Sequence, residues 1–128
     1  MKNKKIICVD LDGVILSYKH GWLGAHTFGK PNPGMKTLLS QLIKDDYWVI
    51  IYTCRGDRKK IADTLKKYGI CKKTHYEDIN RRKGVWEGTS KHKIGADIYI
   101  DDRAICFAGN SKKLYKQIKK FKPWQSSN

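Results

Sequence analysis

Four aspartates carry the first sign of chemistry in this chain: Asp10 and Asp12 in IICVDLDGVIL, and Asp101 and Asp102 in ADIYIDD. Each pair follows a short apolar run, at the point where a buried segment gives way to a polar one. A carboxylate there costs desolvation free energy unless a cation, a proton or a donor meets it. Brought to one edge, four carboxylates repel one another unless a cation sits between them. Oxygen ligands without Cys or His select a hard ion, and magnesium keeps several waters, takes one or two carboxylates and shares substrate phosphate oxygens. Cys8, Cys54, Cys71 and Cys106 form no C-x-x-C pair and the histidines are dispersed, so spacing argues against zinc. Thr53 ends another apolar run, WVIIYT, and can donate a hydroxyl hydrogen bond to a phosphoryl oxygen. Lys93 or Lys91, ahead of the last strand, can supply compensating positive charge. These groups together predict a magnesium-phosphate site.

For such groups to meet, the segments that carry them must run side by side. Residues 5–9, continuously apolar from Ile6 onward, suit a strand buried on both faces. PNPGMKTLLSQLIKDD places Met35, Leu38, Leu39, Leu42 and Ile43 at helical spacing behind Pro33, which predicts a helix over about 34–45. A second strand, 48–53, is followed by a helix with Ile61, Ala62, Leu65 and Tyr68 on one face and Gly69 to close it. The basic stretch 72–93 leaves room for a short strand at 74–76, and 96–102 reads as a further strand. A last helix over roughly 110–121 has Leu114, Ile118 and Phe121 spaced for burial. Gly13 to Pro33 has no period and is rich in Gly, Pro, His and aromatics, which predicts a functional loop or flap. Alternating strands and helices predict an α/β fold, a Rossmann-like three-layer sandwich around a mainly parallel sheet, with its site at the strand carboxyl ends. One domain is expected over residues 1–122, with 123–128 a frayed, disordered tail.

Bulk properties narrow the partners. The 128 residues hold 27 Lys and Arg against 12 Asp and Glu, a net charge of +15. That excess attracts phosphate-rich partners, nucleic acid or nucleotides among them, although any one basic cluster is ordinarily a solvated face. Trp22, Trp86 and Trp124 could stack on bases, though aromatics near basic residues more often pack under loops. No apolar stretch is long enough to span a bilayer, so no membrane partner is expected. The opening MKNKK followed by apolar residues loosely mimics a signal peptide, but Asp10 and Asp12 interrupt it, and a cytoplasmic location is expected.

The four elements also carry a resemblance. DLDGV at 10–14, the strand ending at Thr53, a lysine ahead of the last strand and IDD at 100–102 together resemble the haloacid dehalogenase superfamily of phosphohydrolases. They stand in the family's order over most of the chain. TFGKPNPG, IIYTCRG and ADIYIDDRAICFAGN are similar to its small capless phosphatases, phage-type ones included. The IDDR stretch is also similar, more weakly, to the phosphatase domain of phage polynucleotide kinase. The resemblance implies that Asp10 attacks phosphorus to form an aspartyl-phosphate while Asp12 protonates the leaving oxygen. It implies Mg2+ held by Asp10, the Asp12 backbone carbonyl and Asp102, with Asp101 in support. Thr53 and a lysine would fix the phosphoryl group. Lys93 is preferred to Lys91 because its distance from Asp101 resembles the family's spacing, although Ile94 stands where the usual proline would follow. Arg55 and Arg103 are further candidates for substrate phosphate, with ion pairs to Asp57 or the acidic cluster as their alternative. There is room for a flap and not for a cap, so a bulky substrate, a partner or a second subunit would complete the open site.

Two other classes compete. A receiver-type signalling domain uses the same residue types, but needs its phosphoacceptor aspartate where this chain has Thr53. A nucleic-acid-binding or regulatory module that keeps the fold without turnover would suit the charge of +15. The intact Asp10 and Asp12 favour a phosphatase acting on a nucleotide, a polynucleotide end or a sugar phosphate.

Overall fold

The computed structural model describes residues 4–81 and 93–125; Lys91, Trp86 and most of the basic stretch before Lys93 lie outside the described residues. Among the described residues four strands and three helices appear in the order β1 (Ile6–Asp10), α1 (Met35–Lys44), β2 (Trp48–Tyr52), α2 (Arg58–Lys67), β3 (Asp78–Ile79), β4 (Ile98–Ile100) and α3 (Ser111–Lys120). All strand pairs are parallel, and the sheet order is β3-β2-β1-β4. The expected α/β architecture with a parallel sheet is therefore present.

Strand alternation divides the core. Ile7 and Val9 of β1 and Val49 and Ile51 of β2 pack in one cluster with Leu39 of α1 and Ile61 and Leu65 of α2. Ile6, Cys8 and Ile50 pack on the opposite side with Ile94. The topology explains the asymmetry. Passing from β1 to β2 to β3 moves one way along the sheet, and right-handed crossovers then put α1 and α2 on the same face. From β3 the chain returns across the sheet to β4, and the described end of that crossover, with Ile94 and partly buried Ala96, covers the second face. Strand order thus reverses between β1 and β4, and such a switch point leaves a crevice outside the strand carboxyl ends.

Local signals account for the helix ends. Asp57 caps α2 by accepting from Lys60 N at 3.0 Å, and Asn110 caps α3 by accepting from Lys113 N at 3.0 Å. Gly69, at φ 78°, turns the chain out of α2 with its N–H donating to Lys66 O. The flap is a ribbon, with Ser17 N donating to Lys30 O and Asn32 N donating to Ile15 O. Its base is core, since Leu11, Ile15 and Leu16 are fully buried. Gly29 is needed in the ribbon because a Cβ there would stand 2.0 Å from Ser17 O.

Three expectations are corrected. The short strand is at Asp78–Ile79, paired with Ile50 and Ile51, rather than at 74–76. Residues 71–76 are taken up by a turn in which Cys71 N donates to His75 Nδ1 and Lys72 bridges Tyr76. The last helix forms where predicted but buries nothing: Ile118 is 57% exposed and Phe121 37%. Helical spacing puts apolar residues on one face, but burial also needs an opposing surface, and no described element packs closely on this helix. Finally, Trp124 and Gln125 are tied down rather than frayed. Trp124 Nε1 donates to Gly13 O, and Gln125 Oε1 accepts from Tyr18 N at 2.7 Å. No helix among the described residues is long and apolar enough to cross a membrane.

Candidate functional site

Parallel register sets the site's first geometry. Asp10 pairs with Tyr52, Val9 pairs with Ile100, and Ile51 pairs with Ile79. One residue further along, the sheet edge therefore presents Asp10 beside Asp101, Thr53 just beyond β2, and Asn80 just beyond β3. Asp10, Asp101 and Asp102 each offer an oxygen, and these atoms lie within 4.8 Å of one another. The cluster occupies the switch point between β1 and β4.

Its electrostatics are strained without a counter-charge. Burial, and then the negative charge of Asp101, pushes the Asp10 carboxyl from its ordinary 3.8 up to about 8, although Leu11 N donates to Asp10 Oδ1 at 2.9 Å. Burial likewise raises the Asp102 carboxyl. The Asp102 side chain is 1% exposed, and no described donor makes a hydrogen bond to either of its oxygens. A proton held by Asp10 or a cation would satisfy them. Arg103 comes no closer than 3.9 Å, from Nε to Asp102 Oδ2, and its backbone N–H donates to Asp101 Oδ1 at 2.8 Å. Gly13 is the close approach that makes room, because a Cβ there would stand 2.2 Å from Asp102 Oδ2. An all-carboxylate donor set with orphaned buried oxygens fits a hard divalent cation held by Asp10, Asp101 and Asp102.

Asp12 stands apart from this group. Its two oxygens accept a forked pair of bonds from Arg55, at 2.8 Å from Nε and 3.1 Å from Nη2. Arg55 is buried, stacked 4.0 Å from the Phe28 ring centroid and 4.6 Å from that of Trp22. Its remaining N–H groups donate to flap carbonyls: Nη1 to Gly24 and Ala25, and Nη2 to Thr27. All five guanidinium N–H groups are thus engaged within the protein. The expected contact between Arg55 and substrate phosphate has no free donor here. Of the ion pairs offered as its alternative, the one to the four aspartates is the one that forms, through Asp12, and Asp57 is not the partner.

Thr53 is buried just past β2, and its Oγ1 accepts from Arg55 N at 3.2 Å. Lys93 is exposed, its ammonium 4.7 Å from the Tyr99 ring centroid, with no ion pair to the acidic cluster. Lys91 lies outside the described residues. The structure therefore gathers Asp10, Asp101 and Asp102, sets Thr53 and Arg103 nearby, clamps Asp12 to Arg55, and leaves Lys93 outside the group.

Asn80 was missed by sequence reasoning. Buried and at φ 54°, it accepts from Thr53 N at 2.8 Å and donates to Arg55 O at 3.1 Å, pinning the loop that carries both. The signal available was its place after a short strand, where Asn tolerates the left-handed conformation.

Beside Asp12 and Arg55 a cavity of about 550 Å³ opens beneath the flap, lined among others by Tyr18, Lys19, His20, Phe28 and Lys30, with Gln125 on one wall. Gln125 Nε2 also donates to Ser17 Oγ and Asn32 Oδ1, at 3.4 and 3.5 Å.

Fold and site together define an α/β protein with a partly buried acidic cluster at the switch point of a parallel sheet. No family model and no curated protein matches the chain. A solved structure, that of a conserved protein from Bacteroides thetaiotaomicron, is similar at 20% identity with a TM-score of 0.60, covering 91% of each chain. At that identity the likeness concerns the fold.

Proposed function

We propose that the protein is a magnesium-dependent phosphomonoesterase of the haloacid dehalogenase type, cytoplasmic and without a cap domain. The observation that carries this reading is Asp102, whose buried oxygens have no donor among the described residues and lie beside Asp10 and Asp101 at the switch point. Magnesium held there would supply charge that ionises Asp10 and draws in a phosphoryl oxygen.

Asp10 then attacks phosphorus, forming a carboxyl-phosphoryl bond as the bond to the leaving oxygen breaks. Asp12, protonated from solvent once it is released from Arg55, gives that proton to the leaving oxygen, which departs as an alcohol, and regains one from the water that releases inorganic phosphate and restores Asp10. To do so Asp12 must loosen from Arg55, because both of its oxygens accept from the guanidinium. Thr53 Oγ1 can hold the phosphoryl group, and Arg103, beside Asp102, can offer it positive charge. The motif lysine is Lys93 or Lys91.

Phosphate release from p-nitrophenyl phosphate with magnesium, lost in Asp10→Asn, tests the reading. No release by the wild-type chain at any pH from 5 to 9 would overturn it. A binding module without turnover is the second reading, favoured by the +15 charge and by the clamped Asp12.

A further inference from the structure

We infer that the cavity under the flap holds the leaving group of the substrate, and that this leaving group carries a second phosphate. The inference rests on the phosphatase reading and adds to it the class of substrate, a bisphosphorylated small molecule.

Position is the first argument. The cavity includes the Asp12–Arg55 pair in its lining, and Asp12 is the group assigned to protonate the leaving oxygen. Whatever departs from phosphorus at Asp10 therefore lies on the cavity side of Asp12. Arg103 joins the two spaces, its Nε 3.9 Å from Asp102 Oδ2 and its guanidinium 5.4 Å from the ring centroid of Tyr18, a lining residue.

Charge is the second. Lys19 and Lys30 line the same cavity, and neither has an ion-pair partner among the described residues. The one acidic lining residue, Asp12, is neutralised by Arg55. Two lysines of the lining without an ion-pair partner favour an anion there, and His20 in the same lining can add a hydrogen bond.

Size and shape are the third. About 550 Å³ lies in the range of small-molecule sites and admits one nucleotide or one sugar phosphate, not a folded partner. Phe28 and Tyr18 give it aromatic wall against which a ring can lie. The walls are held: Arg55 fastens the flap at Gly24, Ala25 and Thr27, and Gln125 fastens Tyr18, so the cavity does not depend on ligand to exist.

The test compares phosphate release by the full chain in magnesium from matched pairs: adenosine 3′,5′-bisphosphate against adenosine 5′-monophosphate and 3′-monophosphate, and fructose 1,6-bisphosphate against fructose 6-phosphate. One bisphosphate should exceed its monophosphates by about tenfold or more in kcat/KM, roughly what one well-placed charge contact gives. Whichever pair shows it identifies the source, nucleoside or sugar. The ratio should fall to near one in the Lys19→Gln/Lys30→Gln double variant and persist in Lys122→Gln, a control in the tail. Equal turnover of both members in both pairs would overturn the cavity's assignment while the phosphatase reading stood. If nothing is hydrolysed, that reading fails instead. Calorimetric binding of the same five compounds to the wild-type chain then tests the ligand class alone, a tenfold preference for a bisphosphate over its monophosphates supporting it and equal or absent binding overturning it.

Discussion

Replacing Asp10 by Asn should stabilise the metal-free protein at alkaline pH, although it removes the proposed nucleophile. In the folded chain burial and the neighbouring Asp101 hold the Asp10 carboxyl near 8, against 3.8 ordinarily. Between those values the folded state binds a proton that the unfolded state has lost, so stability declines as pH rises through the window and levels off above it. At 1.36 kcal/mol per tenfold change the displacement sets a ceiling of roughly 6 kcal/mol. Relaxation and water at the partly open edge reduce this to about 3 kcal/mol. An Asn amide keeps the acceptor for Leu11 N and gives Asp102 a donor, with no charge to bury. For a chain of this length about 3 kcal/mol is on the order of 10 °C in Tm. Thermal unfolding in EDTA should therefore give similar Tm values for both proteins at pH 4 and a markedly higher one for Asp10→Asn at pH 8.5. Magnesium at a hundredfold excess over Kd should return about 2.7 kcal/mol to the wild type and less to the variant. Coincident unfolding curves at pH 8.5 in EDTA would refute the picture of a strained acidic cluster.

Three other substitutions probe the supports. Gly13→Ala forces a Cβ to 2.2 Å from Asp102 Oδ2 at a backbone φ of +93°. It should cost about 2 kcal/mol or more in urea unfolding and abolish the magnesium-induced rise in Tm. Asn80→Ala orphans the Thr53 N–H and the Arg55 carbonyl, at roughly 1–3 kcal/mol each, so chemical denaturation should show a loss of about 3 kcal/mol and kcat should fall with it. Arg55→Lys cannot reproduce a forked bond to Asp12 together with three flap carbonyls. Tryptic cleavage after Lys19, in the flap, should quicken by about tenfold with the core intact, and unchanged cleavage would show that Arg55 does not hold the flap.

What the sequence revealed, and what it hid, follows from the range of the forces involved. Buried strands announce themselves by continuous apolar runs, so β1 and β2 were legible to within a residue, and parallel alternation then implied that Asp10 would meet Asp101 at one edge. The two-residue β3 has no such run, and its register is fixed by the ladder to Ile50 and Ile51, which lies in another part of the chain. The helix α3 was legible as a helix and misread as buried, because a periodic face records what could pack and not whether anything does. Asp12 and Arg55 are 43 residues apart, and no local pattern links them. The tail bonds of Trp124 and Gln125 reach back more than a hundred residues and were illegible for the same reason.

The clamp on Asp12 has a consequence for how the two aspartates of DLDG divide their work. Asp10 faces the acidic cluster on one side of the turn, and Asp12 faces Arg55 and the flap on the other. A proton donor that is also one end of a fork to the flap's anchor cannot act while the fork is fully made. Arg55 in turn cannot leave Asp12 unpaired without burying its own charge among Phe28, Trp22 and three carbonyls that only partly compensate it. The exchange is favourable only if something else meets the guanidinium as Asp12 turns to the leaving oxygen. An anionic leaving group in the cavity beside Arg55 can do this, so substrate that fills the cavity would be the substrate that frees the acid. Truncated substrates should then lose kcat as well as affinity.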